Sequence, residues 1–263
     1  MMIKNIALSG WSGAGTTTTT LLLAVLLKRR YFPITQIFRT IGAQVLLMHS
    51  TQDESGLANA EKVIQPLIGK MVDEFVDYLL LNESGIVLES DLSVFRIGKH
   101  PQIFSIFLLS SYQTRSIRFF ADGRVGDDET LLNRDKALRD EYKKLWNIDI
   151  FDDYLINQKF NLVLDNNHIT LSESVRQILA AYGQHIQDEN EKELVSEVLN
   201  EVDSLVKDYT VQGKKLLIEF LQQANLYVPV EKMLKMLYEH NEDEILTLPE
   251  QYRQVFTLSL HNS

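Results

Sequence analysis

With 263 residues, 45% hydrophobic and 24% charged, the chain has an ordinary globular composition, long enough for one α/β domain of under about two hundred residues plus an appendage. A formal net charge of −10 argues against a general nucleic-acid or anionic-membrane binder, and the absence of cysteine excludes disulfides, thiolate chemistry and cysteine-ligated zinc. No apolar run reaches bilayer length and no signal-peptide pattern opens the chain, so a cytoplasmic location is expected, with neither nucleic acid nor membrane among its partners.

Ile3 to Leu8 reads as a first strand. It runs into Gly10-Trp11-Ser12-Gly13-Ala14-Gly15-Thr16-Thr17, and a helical pattern then extends from Thr17 to Arg30 through Thr18 and the apolar run Leu21 to Leu27. Glycines at the first and sixth positions of a loop between strand and helix, followed by hydroxyl residues, are the pattern of a phosphate-binding loop. Gly10, Gly13 and Gly15 let the backbone approach phosphate oxygens. The amides of Ser12, Ala14, Thr16 and Thr18 then belong to a segment where the helix dipole favours negative charge. Thr17 stands where such a loop places the hydroxyl for a nucleotide-bound magnesium ion, so ATP and Mg2+ are the expected cofactors. The lysine that normally precedes that hydroxyl is missing, and Thr16 occupies its place. Either an arginine elsewhere replaces it or phosphoryl transfer is weak.

Pro33 ends the first helical pattern, and Ile34 to Arg39 reads as a short second strand turning into a helix. From Asp53 to Leu81 apolar residues recur at helical spacing. Ile86 to Asp91 then forms a short buried strand, which places Glu89 and Asp91 at the C-terminal end, where open parallel sheets bind ligands. Phe104 to Leu109 is a further strand. It feeds a helix with Arg115 and Arg118, and a polar, glycine-containing stretch around Arg124 follows. Asp127 and Asp128 can cap the next helix, from about Glu129 to Trp146, which carries Arg134 and Arg139. Phe160 to Asp165 is the last strand, and a helix capped by Thr170 or Ser172 ends near Gly183. The alternation predicts an α/β fold, a three-layer parallel sheet with helices on both faces.

After His185 the chain becomes acidic and helical, and residues 186–263 read as a helical C-terminal extension to a 1–185 domain. Its apolar stripes, including Val198, Val202, Leu205, Leu217 and Leu221, are packing faces against each other or the core. The alternative is a docking face for a protein partner or for self-association.

The order of motifs from Ile3 to about Leu179 resembles the cytidylate-kinase-like branch of nucleoside monophosphate kinases, a family of P-loop NTPase fold. The resemblance rests on the phosphate loop, Phe38-Arg39, Ile86-Val87-Leu88-Glu89, the arginines 115, 118, 134 and 139, Tyr142 to Asp149, and Phe160 to Asp165. Some members of that family carry Gly-Thr-Thr-Thr in the loop. The resemblance implies transfer of the γ-phosphoryl of ATP to a nucleoside monophosphate such as CMP or dCMP. It implies acceptor-binding helices over about 39–82 and a lid over about 120–135. Arg39 would hold the acceptor phosphate, and Arg115, Arg118, Arg124, Arg134 and Arg139 would supply the lid and transfer cations, Arg124 and Arg139 first among them.

The pattern departs from the family after the third strand. Glu89-Ser90-Asp91-Leu92 stands where the family has Glu-Gly-Arg-Leu, so an anion replaces a phosphate-binding cation. A carboxylate there repels a phosphate and leaves three readings. One is a nucleoside monophosphate held differently. Another is an alcohol acceptor oriented by Asp91, whose plainer role would be to cap the next helix. The third is a catalytically weak nucleotide-binding protein that engages a partner through residues 186–263.

Overall fold

The computed structural model describes residues 4–37, 40–41, 54–121, 128–248, 250, 253 and 256, with backbone alone over 54–66 and at 128. Two of the expected phosphate-binding arginines, Arg39 and Arg124, and the expected cap Asp127 lie outside the described residues.

Five strands form one sheet: β1 (Asn5–Gly10), β2 (Arg30–Phe32), β3 (Ile86–Glu89), β4 (Ile103–Leu109) and β5 (Leu162–Asp165), in the order β2-β3-β1-β4-β5. β1 is central and parallel to both neighbours, with Ile6 opposite Val87 and Phe104, and β4 is parallel to β5. Central strands of a parallel sheet are buried on both faces, which is why Asn5 to Ser9 are all inaccessible. Asn5 is the polar exception and is fully used: its amide donates to the carbonyls of Leu80 and Glu83 and accepts from the amide of Ile86.

The helices are α1 (Thr16–Leu26), α2 (Glu54–Asn82), α3 (Ser93–Ile97), α4 (Tyr112–Ala121), α5 (Asp128–Trp146), α6 (Asp153–Lys159) and α7 (Leu171–His185). Five more follow: α8 (Glu189–Val198), α9 (Val202–Gln212), α10 (Lys214–Gln223), α11 (Val230–His240) and α12 (Glu242–Thr247). Alternation along β4 divides them between the faces. Phe104, Ile106 and Leu108 join a core with Leu22, Leu23, Leu179 and Tyr182 of α1 and α7. Phe107 points the other way, edge-on to Phe95 of α3 and to Phe160, the residue that closes α6. The α/β sheet covered on both faces is therefore as expected. Among the described residues no helix is long and apolar enough to cross a membrane.

Two local expectations are corrected. The second strand lies before Pro33, at Arg30–Phe32, and Ile34 to Ile37 are helical. Proline's fixed φ and missing N–H suit the start of a helix, and the Gln36 amide bonds the Pro33 carbonyl at 2.9 Å. Asp91 does not cap α3: the Ser90 hydroxyl accepts from the Ser93 amide at 2.9 Å instead. Of the two expected caps, Thr170 is the one that caps α7, in a capping box closed by Glu173.

The chain divides into two compact units, Met1–Tyr31 with Leu80–Tyr227, and Phe32–Leu79 with Val228–Ser263. One boundary between these units falls between Tyr227 and Val228. In the first unit Val195, Val198, Val202, Leu205, Leu217 and Leu221 of α8, α9 and α10 enter the same core as β1 and α1. A buried trio anchors them, in which Arg29 meets Glu191 and Tyr182, and the Tyr182 hydroxyl also donates to Glu191. In the second unit α2 contributes Met71, Val72, Phe75 and Val76, and the C-terminal helices bury Met233, Leu234, Leu237 and Ile245. There His240 lies 4.5 Å from the ring of Tyr78, centroid to centroid.

Candidate phosphate-binding site

The site begins where β1 ends. Gly10 closes the strand, Trp11 to Gly15 form the loop, and α1 starts at Thr16. Gly15 is the N-cap in the left-handed region at φ 93, with open space where a Cβ would stand. Gly13 is also left-handed, at φ 86, and a Cβ there would come within 2.5 Å of the Arg115 carbonyl oxygen. The loop is closed by the Ala14 amide on the Trp11 carbonyl at 2.9 Å, with Ala14 fully buried beneath it.

Two of the expected arginines hold the loop from behind. Arg115, buried on α4, donates to the Ser12 carbonyl at 3.0 Å and pairs with Asp135 at 2.8 Å. Arg118 donates to the Ala14 carbonyl at 3.3 Å and to the side chain and carbonyl of Asn166 at 3.0 and 2.9 Å. Its burial lowers its pKa. Asn166 adds a 2.9 Å bond to the same Ala14 carbonyl. With loop carbonyls satisfied on this side, the backbone shape is fixed by buried partners and not by a ligand. Trp11 is pinned in the same way, by a 3.0 Å bond from its indole N–H to the Ile150 carbonyl and by stacking on Phe151 at 4.7 Å.

Arg134 and Arg139 separate. The Arg134 guanidinium reaches the loop, donating to the Ser12 hydroxyl at 2.8 Å. Arg139 grips Asp149 through two bonds of 2.9 and 2.6 Å, with Lys143 on the same carboxylate at 2.8 Å. The bonds to Asp149 raise the Arg139 pKa, and the same pair holds the Asp149 carboxyl well below the usual range. The motif Tyr142 to Asp149 is thus folded around its own ion pair, and Arg139 is not among the groups brought to the loop.

The front of the site is acidic. Glu89, at the end of β3, accepts from the Thr17 hydroxyl at 2.9 Å, from Thr16 at 3.5 Å and from the Tyr31 phenol at 3.2 Å. Burial pushes Glu89 up to about 7 against the Thr17 bond, which lowers it, and the nearby Asp91 charge raises it further. Burial and the Glu89 charge also hold the Tyr31 phenol well above its ordinary value. Asp91 is open to solvent yet crowded by protein, and that restricted hydration pushes it up to about 6, with Arg134 pulling the other way.

This arrangement fits a magnesium nucleotide. Gly15 leaves open space where a side chain would begin at the start of α1, and Thr17 with Glu89 offers the hydroxyl and carboxylate oxygens that hard cations take. Sequence reasoning placed Glu89 at the strand end without pairing it to Thr17, and it missed Tyr31 and Tyr209. The Tyr209 hydroxyl lies 3.2 Å from that of Thr18. Nothing local marks these tyrosines, because the fold alone brings them to the loop.

A β1–loop–α1 unit at the centre of a sheet with helices on both faces defines an α/β protein of P-loop architecture. No family model matches the chain, and no curated protein matches it. Solved structures similar to it include shikimate kinase from Acinetobacter baumannii in complex with shikimate, at 20% identity and a TM-score of 0.43 over 71% of this chain and 96% of that one. TT1252 from Thermus thermophilus aligns at 16% identity and a TM-score of 0.42, over 72% of this chain and 100% of its own. An uncharacterized protein from Eubacterium ventriosum aligns at 14% and 0.44, covering 67% and 96%.

Proposed function

We propose that the chain is an ATP- and Mg2+-dependent phosphotransferase acting on a small acceptor. The observation that carries this is the Thr17–Glu89 pair, a loop hydroxyl bonded to a strand-end carboxylate in the first turn of the helix that the glycine loop opens. Loop amides and the start of α1 would hold the ATP phosphates, and Thr17 with Glu89 would hold the magnesium ion. When bound, ATP supplies the γ-phosphoryl group and magnesium neutralises part of its charge. Arg134 bonds the Ser12 hydroxyl of the loop and its charge is felt at Asp91, and it would stabilise the charge that builds on the transferred group.

The family resemblance favours a nucleoside monophosphate such as CMP as acceptor. A second reading, an alcohol acceptor, is favoured by Asp91 itself. It is accessible, is not used as a helix cap, and has a pKa of about 6, which suits a group accepting a hydroxyl proton near neutral pH. ADP formation from Mg-ATP with CMP, dCMP, UMP, AMP, GMP and a set of small polyols, for wild type and Asp91→Asn, tests both. Turnover with one nucleotide that survives Asp91→Asn supports the first reading, and turnover with an alcohol that collapses in the variant supports the second. No ADP with any acceptor, from protein that binds ATP, overturns transferase activity.

A further inference from the structure

The Glu89 carboxylate has two oxygens, and the fold gives them different partners. Oε2 accepts from the loop side, from the Thr17 hydroxyl at 2.9 Å and from that of Thr16 at 3.5 Å, while Oε1 accepts from the Tyr31 phenol at 3.2 Å. The last torsion of a glutamate side chain is broad, so a bond to one oxygen alone leaves the carboxylate plane free to turn. Bonds to both oxygens, from donors on α1 and β2, fix it. Tyr31 is itself held from two sides. Its side chain is buried in the core that α1 and β1 share, at 3% exposure. β2 is the edge of the sheet, and the Tyr31 amide donates to the Leu226 carbonyl at 2.8 Å instead of facing solvent, in a parallel pairing of Tyr31 with Tyr227. The rings of Tyr31 and Tyr227 meet at 5.9 Å. The segment that follows α10 thus fixes the strand that carries the phenol.

We propose that Tyr31 is a positioning residue for the metal-directed carboxylate: its phenol sets the plane of Glu89 so that Oε2 stays with the Thr17 hydroxyl, and residues 226–227 hold Tyr31 in place to do so. The inference rests on the nucleotide and magnesium reading of the site. A group that orients a metal ligand without touching the metal changes metal affinity about 10- to 100-fold when it is removed. The phenol bonds the carboxylate and not the loop, so its loss is felt by the metal and not by the phosphates. A tyrosine that served only the packing of the core would weaken both alike. On this account residues 226 and 227, at the end of the C-terminal helices of the first unit, act on the metal site through the edge strand.

The test is calorimetric binding of ATP to the full chain, once with saturating Mg2+ and once with EDTA. Tyr31→Phe keeps the ring in the core and removes the hydroxyl alone. It should weaken Mg-ATP by about tenfold or more and leave metal-free ATP within about twofold of wild type. Tyr209→Phe deletes a second phenol beside the first turn of α1, the one on Thr18, and should leave the ratio of the two affinities unchanged. In a Glu89→Gln background Tyr31→Phe should have no further effect on Mg-ATP, because the phenol acts through the carboxylate. Equal losses with and without magnesium, no loss in either, or a further loss in the Glu89→Gln background overturns the assignment and leaves the nucleotide reading standing. A wild type whose ATP affinity ignores magnesium overturns the magnesium reading together with the assignment, and one that binds no ATP overturns nucleotide binding itself.

Discussion

The Thr17 hydroxyl and the Glu89 carboxylate face each other at 2.9 Å across the β1–β3 boundary, joining the first turn of α1 to the end of a neighbouring strand. Glu89 is buried, and its proton is lost at about 7 and not at the ordinary 4.5. The native state therefore keeps a proton that the unfolded chain has released between those values, so stability falls as pH rises through that window and levels off above it. A shift of this size corresponds to about 3 kcal/mol. Denaturant titrations of wild type from pH 5 to pH 8 should show that decline, and Glu89→Gln should flatten it.

Nucleotide binding should carry the opposite slope. A magnesium ion takes the ionised carboxylate, so Mg-ATP affinity is expected to increase as pH rises toward about 7 and to become constant beyond it. In Glu89→Gln both the slope and most of the magnesium dependence should be absent. A wild-type affinity independent of pH between 5.5 and 8 would remove Glu89 from the magnesium site.

Gly13 and Gly15 separate two costs that are usually mixed. Both are left-handed, but a Cβ at Gly13 meets the Arg115 carbonyl at 2.5 Å while one at Gly15 meets nothing within 4 Å. Gly15→Ala should lose about 1–2 kcal/mol from the backbone alone, and Gly13→Ala more, because α4 must also move. Urea denaturation of the two variants in the absence of ligand measures the difference. Equal losses would mean that the loop relaxes away from α4 without cost.

The sequence made the loop legible because its signal is local: glycines at fixed offsets between an apolar strand and a helix require no tertiary information. Glu89 and Asp91 were legible as residues at a strand end, but the third strand's partner in the sheet, and hence the meeting of Glu89 with Thr17, depends on strand order. The family resemblance drew Arg115, Arg118, Arg134 and Arg139 into one group, yet a guanidinium's destination is set by whichever carbonyl or carboxylate the fold places near it. That is how two came to buttress the loop from behind and one to close on Asp149. The C-terminal helices were legible in their apolar stripes, which enter the core as expected, because helical spacing marks a packing face even where acidic outer positions dominate the composition.

The two arginines of α5 should differ in turnover. Arg134→Ala removes the cation that bonds the Ser12 hydroxyl and is expected to lower kcat on the order of 10²-fold with a smaller change in ATP affinity. Arg139→Ala frees Asp149 to its second partner, Lys143, on the surface, and should leave kcat within about threefold of wild type. The reverse order in steady-state kinetics would mean that Arg139 leaves Asp149 during the reaction.

Glu191 sits where the C-terminal helices join the core, and its carboxylate serves two buried partners, Arg29 and Tyr182. Arg29 is inaccessible, its pKa lowered by burial, and its other bonds run to the Lys4 carbonyl at 2.8 Å and the Tyr182 hydroxyl at 3.0 Å. Removing Glu191 leaves a guanidinium in low dielectric with only neutral acceptors, so Glu191→Ala should cost about 3–5 kcal/mol. Replacing the pair together, as Arg29→Met with Glu191→Leu, removes charge and counter-charge at once and should cost less than Glu191→Ala alone. Hydrogen exchange locates the effect: in Glu191→Ala the amides of α8 should lose protection before those of β1 and β4, because the lost contact ties α8 to Tyr182 of α7 and to Arg29, which follows α1. Uniform loss across sheet and helices would instead make the trio part of the same cooperative unit as the sheet.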